Sequence, residues 1–295
     1  MRFKRVIIWG HHLHSHTHSY IHDGFLKAFK HLGHDAHWVS EADNISTDFF
    51  DDALVITEGQ VDSNIPLVKR ASYLLHNCDT RKYEELELDF KVLQVYSHDC
   101  LDRGVTELAP ATFYQSDNRT LYQPWATDLL PIEMHSYDLI TDASQLKPWC
   151  NWVGSIMHGL HGNQDQLHSF AAAAAEKNIE FRLCRNVSPK DSIKLVRESQ
   201  LAPALQGQWQ VENGYIPCRI FKNISYGHLG LTNSKAVFDL LEGEVIFNKD
   251  CAQLFKDGQA ALGANDAQRQ RAFNLIRAKH TYINRIEKIL EVMEY

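Results

Sequence analysis

Several things are missing from these 295 residues. No apolar run approaches the roughly 20 residues that cross a bilayer, so no membrane-spanning helix is expected. The N-terminus joins a very short apolar stretch to histidines and is not read as a signal peptide. The six cysteines, at 78, 100, 150, 184, 218 and 251, contain no CxxC pair. Such scatter argues against a zinc ribbon and a disulfide-dense secreted scaffold, and makes reduced thiols in a cytoplasmic protein the expectation. Excess positive charge is also missing. Thirty Lys and Arg against 37 Asp and Glu give a net charge of -7 with histidine neutral, so no nucleic-acid partner is expected. There is no internal repeat. The one low-complexity tract, the alanines at 171–175, reads as plain helix.

What is present is ordinary for a soluble globular enzyme: 44% hydrophobic and 23% charged residues, over a length suited to two α/β domains. The first half alternates short apolar runs with helical stretches. Strands are expected at Arg5–Trp9, Ala36–Val39, 53–59, 71–77 and 90–97, with a helix over Tyr20–Leu32 stopped by Gly33. These strands are apolar nearly throughout, as in a parallel sheet covered on both faces. From 104 to 150 prolines and aromatics replace the pattern, and 125–147 is expected to be the linker. The pattern then restarts, with a strand at 150–155 (CNWVGS) that ends in a tight turn, and further strands at 179–186, 228–234 and 244–250. Helices are expected at Gln164–Lys177, from Ser188-Pro189 as N-cap and first helical residue, at 219–227 and at 235–241, with three more to the end. The expected fold class is α/β, with two Rossmann-like domains facing across a cleft at 1–135 and 148–275. A C-terminal helix at 276–295 returns to the first domain.

The loop after the first strand, HHLHSHTHSYIHDG (11–24), contains six histidines. Its HxHxH spacing resembles the opening of the polymerase-and-histidinol-phosphatase metal phosphoesterases, which would make it a metal site. The further ligands of that superfamily are not found downstream. Most of the histidines are expected to satisfy loop backbone or face solvent. One is enough for catalysis, because imidazole accepts a proton near neutral pH. His16, His18 and Asp23 are the candidate bases, with Glu58 as an outsider.

The segment ENGYIPCRIFKNISYGHLGLTNS (212–234) resembles the donor-binding segment of GT-B glycosyltransferases, of the CgeB-like and group 1 type. Arg219, Phe221, Ser225, Gly227, Thr232 and Asn233 fall on that family's pattern. LYQPWATDL resembles the family's first interdomain crossing, and HTYINRIEKIL its closing helix. The resemblance implies a nucleotide-sugar-dependent glycosyltransferase in bacterial-type glycan or glycoconjugate synthesis. Its donor would be held by Ser155, Arg185, Tyr215, Arg219, Lys222, Asn223, Thr232 and Asn233. Arg219 at a helix start, with Lys222 one turn on, would meet the charge of a leaving phosphate.

One departure stands out. Many retaining members carry a glutamate pair separated by seven residues, and here Gly214 and Lys222 occupy those places. Inversion is therefore expected, with a base from the N-terminal half. No metal and no cofactor beyond the nucleotide-sugar are expected, and the acceptor is expected to be a glycan or glycolipid. The cationic tail, Arg269 to Lys288, is read as a solvated helix face that at most approaches a membrane surface. Two rival readings are a metal-dependent phosphoesterase using the histidine cluster and a non-catalytic nucleotide- or sugar-binding protein.

Overall fold

The computed structural model describes residues 2–10, 17–58, 64–97, 112–140 and 142–294, with the backbone alone at 17–19, 58 and 143. The first half builds β1 (Arg5–Trp9), α1 (Thr17–His31), β2 (Ala36–Val39), β3 (Ala53–Glu58), β4 (Ser72–His76), α2 (Arg81–Glu85), β5 (Asp89–Gln94), β6 (Phe113–Gln115) and β7 (Thr120–Tyr122). They form one seven-stranded sheet in the order β2-β1-β3-β4-β5-β7-β6. Every pairing is parallel except β6 with β7.

The uninterrupted apolar strands have a simple cause. Side chains alternate across a strand, and both faces here are covered. Val6, Ile8, Leu54, Ile56 and Leu74 pack in one core with Ile21, Phe25 and Phe29 of α1. Ile7, Trp9, Val55, Tyr73 and Leu75 pack in another with Phe50, Tyr83 and Phe90.

The second half holds α3 (Pro131–Met134), β8 (Trp149–Val153), α4 (Gln164–Ala175), β9 (Glu180–Cys184), α5 (Pro189–Glu198), β10 (Pro203–Ala204) and α6 (Gln208–Glu212). It continues with α7 (Cys218–Ser225), β11 (Leu231–Thr232), α8 (Lys235–Leu240), β12 (Ile246–Phe247), α9 (Cys251–Ala261), α10 (Asp266–Lys279) and α11 (Tyr282–Glu294). β8 pairs with β9, and β10, β11 and β12 pair in turn, all in parallel. Gln200 N donates to Trp149 O at 2.8 Å, and Asn151 N to Ser199 Oγ at 3.0 Å, so the two small sheets are stitched together. Ser188 caps α5 by accepting from Asp191 N, with Pro189 in the first turn. The expected strands at 228–234 and 244–250 shrink to two residues each. β6, the antiparallel partner of β7, lies in the stretch where prolines and aromatics replace the strand pattern.

Two passages join the halves and run side by side. Residues 121–130 are buried throughout. Thr127 N donates to His280 O at 3.1 Å, and Thr127 pairs in parallel with Thr281. α11 then places Tyr282, Ile286, Ile289, Val292 and Met293 in the same core as β1 and α1. The buried Arg285 donates to Pro124 O at 2.7 Å and Trp125 O at 3.1 Å. This corrects the picture of a solvated basic tail at two of its six cations, because Arg269 and Arg285 are only 2% and 4% exposed. Of the other tail cations, Arg271, Lys279 and Lys288 pair with Glu244, Glu242 and Glu291, and Arg277 lies 3.4 Å from the His135 ring. Among the described residues no helix is long and apolar enough to cross a membrane.

Candidate functional site

The site starts where β8 runs out. Gly154 follows with φ +135°, a conformation L side chains rarely adopt, and turns the chain away from the strand. A Cβ there would lie 2.5 Å from Arg219 Nη2. Arg219 stands in the first turn of α7, which Pro217 enters in extended conformation. Its guanidinium lies 3.7 Å from the centroid of Trp152 and donates to Val153 O at 3.1 and 3.3 Å. No carboxylate pairs with it among the described residues. Burial pulls its pKa down, opposed by Cys218 and Tyr215. A desolvated cation, stacked and oriented but without a counter-ion among the described residues, leaves its charge available to an anion.

Beside it is a cavity of about 270 Å³. Its lining includes Gly154 and Ser155 after β8, Cys184 to Val187 after β9, and Arg219, Lys222, Asn223 and Tyr226 from α7 and its end. Tyr20 from α1 completes it. Lys222, on the same side of α7 as Arg219, lies 3.4 Å from Asp128 and 3.8 Å from the centroid of Tyr20. The Tyr226 hydroxyl also shares its one proton between the two Asp128 carboxylate oxygens, at 2.7 and 2.8 Å. Asn223 donates to Ala202 O at 2.8 Å, which fixes α7 on the strand leading to β10. The arrangement can present Arg219, the Asp128-paired Lys222 and a helix start to one polyanionic group.

Of the residues named from the sequence, Ser155, Arg185, Arg219, Lys222 and Asn223 therefore come together around one cavity. Three others do not line it. Tyr215 stacks on Tyr96, with centroids 5.1 Å apart, because its backbone bridges to the end of the first-half sheet. Thr232 Oγ1 accepts from Ser234 N at 3.1 Å, inside the turn after β11. Asn233 exchanges two bonds with the Gln206 backbone, at 2.9 and 2.8 Å, and ties β10 to β11. All three serve packing and turn geometry.

Among the candidate bases, His16 lies outside the described residues. His18 falls in the first turn of α1, and Glu58 ends β3, both described by backbone alone. Asp23 is half-buried on α1, where burial raises its pKa. Lys27 opposes that rise, Asp128 and Glu133 add to it, and Lys222 lowers it again. Its carboxylate therefore feels the charges at the cavity's edge. Among the described residues no three His, Cys, Asp or Glu side chains are placed to share a metal ion.

The sequence reading missed Tyr20, Trp152 and Asp128. Tyr20 was hidden among the histidines. Asp128 lies within the quoted crossing, but its partner Tyr226 is 98 residues away. Gly154 alone left a signal, as the tight turn expected after the first strand of the second half.

The described architecture is α/β, with a mostly parallel first-half sheet and helices throughout. No family model matches the chain, and no curated protein matches it in sequence. It is similar to an alpha-glucosyltransferase in complex with UDP, at TM-score 0.67 and 10% identity, covering 99% of this chain and 100% of that one. It is similar also to an alpha-glucosyltransferase with UDP and a 13-mer DNA containing an HMU base, at 0.68 and 11%, covering all of both chains. A DNA-modifying beta-glucosyltransferase, studied with and without uridine diphosphoglucose, matches at 0.54 and 10%, over 98% of this chain and 100% of that one. At such identities the likeness is one of fold. The narrower resemblance to CgeB-like and group 1 proteins gains no support from it, nor does the expected glycan acceptor or the expected absence of nucleic acid.

Proposed function

We propose that the chain is a glycosyltransferase that moves a sugar from a nucleotide-sugar to a hydroxyl acceptor across a cleft between its two halves. The observation that carries this reading is Arg219, a stacked guanidinium with no carboxylate partner among the described residues, at the edge of a cavity that also holds Lys222. The donor's diphosphate lies against these two cations and the start of α7. In the transfer the acceptor O–H gives its proton to a front-half base, for which Asp23 is the best placed described group. The acceptor oxygen bonds to the anomeric carbon. The bond from that carbon to the phosphate oxygen breaks, and the nucleoside diphosphate leaves with the electron pair. Arg219 and Lys222 hold the charge that develops on it, so no divalent cation is required. Attack from the face opposite the leaving group inverts the anomeric centre. The raised pKa of Asp23 suits proton acceptance better than an ordinary surface carboxylate would.

A UDP-sugar is the first donor to test, since the similar structures bind UDP or UDP-glucose. The acceptor panel pairs sugar alcohols and glycans with DNA carrying a hydroxymethylated pyrimidine, because relatives in fold are solved with DNA. The experiment measures acceptor-dependent UDP release in EDTA, with the anomeric product read by NMR. Release with a β-linked product from an α-configured donor is expected. No release with any donor and acceptor, and no stabilisation by any nucleoside diphosphate, overturns the reading.

A further inference from the structure

We propose that Tyr20 is a positioning residue that locks α1, and with it Asp23, onto the donor site. The inference rests on the donor-site reading above and deepens it. Tyr20 is the one first-half residue, among those described, that lines the cavity. Its hydroxyl donates to Val187 O at 2.6 Å, in the loop after β9. Its ring covers the Lys222 ammonium at 3.8 Å, opposite the Asp128 carboxylate at 3.4 Å. One side chain of α1 thus makes two contacts to second-half elements that would bear the donor. Asp23 lies three residues further along α1, so it shares the side of the helix that Tyr20 presents to Lys222. Holding Tyr20 fixes the depth and rotation of that helix turn, and a misplacement of about 1 Å at a reacting group can cost on the order of 100-fold in rate. Tyr20 itself neither accepts the proton nor carries the sugar.

The test compares Tyr20→Phe and Tyr20→Ala with the parent chain in three readouts: UDP affinity by calorimetry, kcat and KM for transfer, and the fraction of donor lost to water. Tyr20→Ala is expected to lower kcat at least tenfold and raise the hydrolysed fraction, with a smaller fold-change in UDP affinity and donor KM than in kcat. Tyr20→Phe keeps the ring over Lys222 and is expected to recover part of kcat. A loss confined to UDP affinity or donor KM makes Tyr20 a donor contact and overturns the inference. So do parent-like kinetics in both variants, with the parent active. If the parent itself binds no nucleotide-sugar, the donor-site reading falls first and this inference falls with it. Thermal melts on both variants separate these results from unfolding, and Tyr20→Phe decides the matter should Tyr20→Ala not fold.

Discussion

A single methyl group should separate the anion-site reading from a purely structural one. Gly154→Ala places a Cβ 2.5 Å from Arg219 Nη2, at a residue whose φ is +135°. Two costs follow. The backbone strain of a non-glycine residue in such a region is about 1–3 kcal/mol, which at about 2–4 °C per kcal/mol lowers Tm by several degrees. The displaced guanidinium leaves Val153 O and the Trp152 ring, and no longer meets a phosphate in its seat. A charge-assisted hydrogen bond is worth about 1.5–3 kcal/mol, so UDP affinity should fall about 10- to 150-fold. Gly159→Ala is the control, because Gly159 also has a positive φ, +76°, but nothing within 4 Å of an added Cβ. It carries backbone strain without touching Arg219. Calorimetric titration of UDP into both variants, with melts alongside, reads the two costs apart. Equal UDP affinity in the two variants would refute the assignment of Arg219 to the phosphate seat.

Other outcomes follow from the same contacts. Asp128→Asn keeps an acceptor for the Tyr226 hydroxyl but removes the counter-charge of Lys222, so the melt should fall while UDP affinity, by calorimetry, should not. Asp23→Asn should abolish transfer and leave UDP binding intact. In the parent the acidic limb of kcat/KM should lie above the ordinary carboxylate range, because the Asp23 pKa is raised. His76, His228 and His280 are held neutral by burial, with pKa values lowered to about 4, about 4 and about 3. The unfolded chain then binds more protons than the native one below about pH 6.5, so these groups contribute stability above that pH. Stability should fall from there to about pH 4, at up to roughly 4 kcal/mol per pH unit when all three groups titrate together, as read by urea melts across the range.

The sequence made the first-half sheet legible because its physics is local. Val6, Ile7, Ile8 and Trp9 are all apolar because alternate residues enter two different cores. Such a run reads as a covered parallel strand without knowledge of any partner. The seat of Arg219 was half legible. The arginine and the turn at Gly154 were visible, whereas the stack on Trp152 requires a fold that brings positions 152 and 219 together. Asp128 and Tyr20 were illegible for the same reason, since their roles exist only across long separations in the chain. Tyr215 misled because an aromatic beside a phosphate-binding helix looks the same whether it faces ligand or core. The strand ending near Tyr96 supplied its partner. Thr232 and Asn233 misled similarly, since a Thr-Asn pair after a strand serves a buried turn as well as a ligand.

The most direct measurement is calorimetric titration of UDP into the parent and into Arg219→Ala. The account predicts saturable binding to the parent, without added metal, and a loss of at least tenfold in the variant while its fold, judged by circular dichroism, persists. Undiminished UDP binding by a folded Arg219→Ala protein would contradict it.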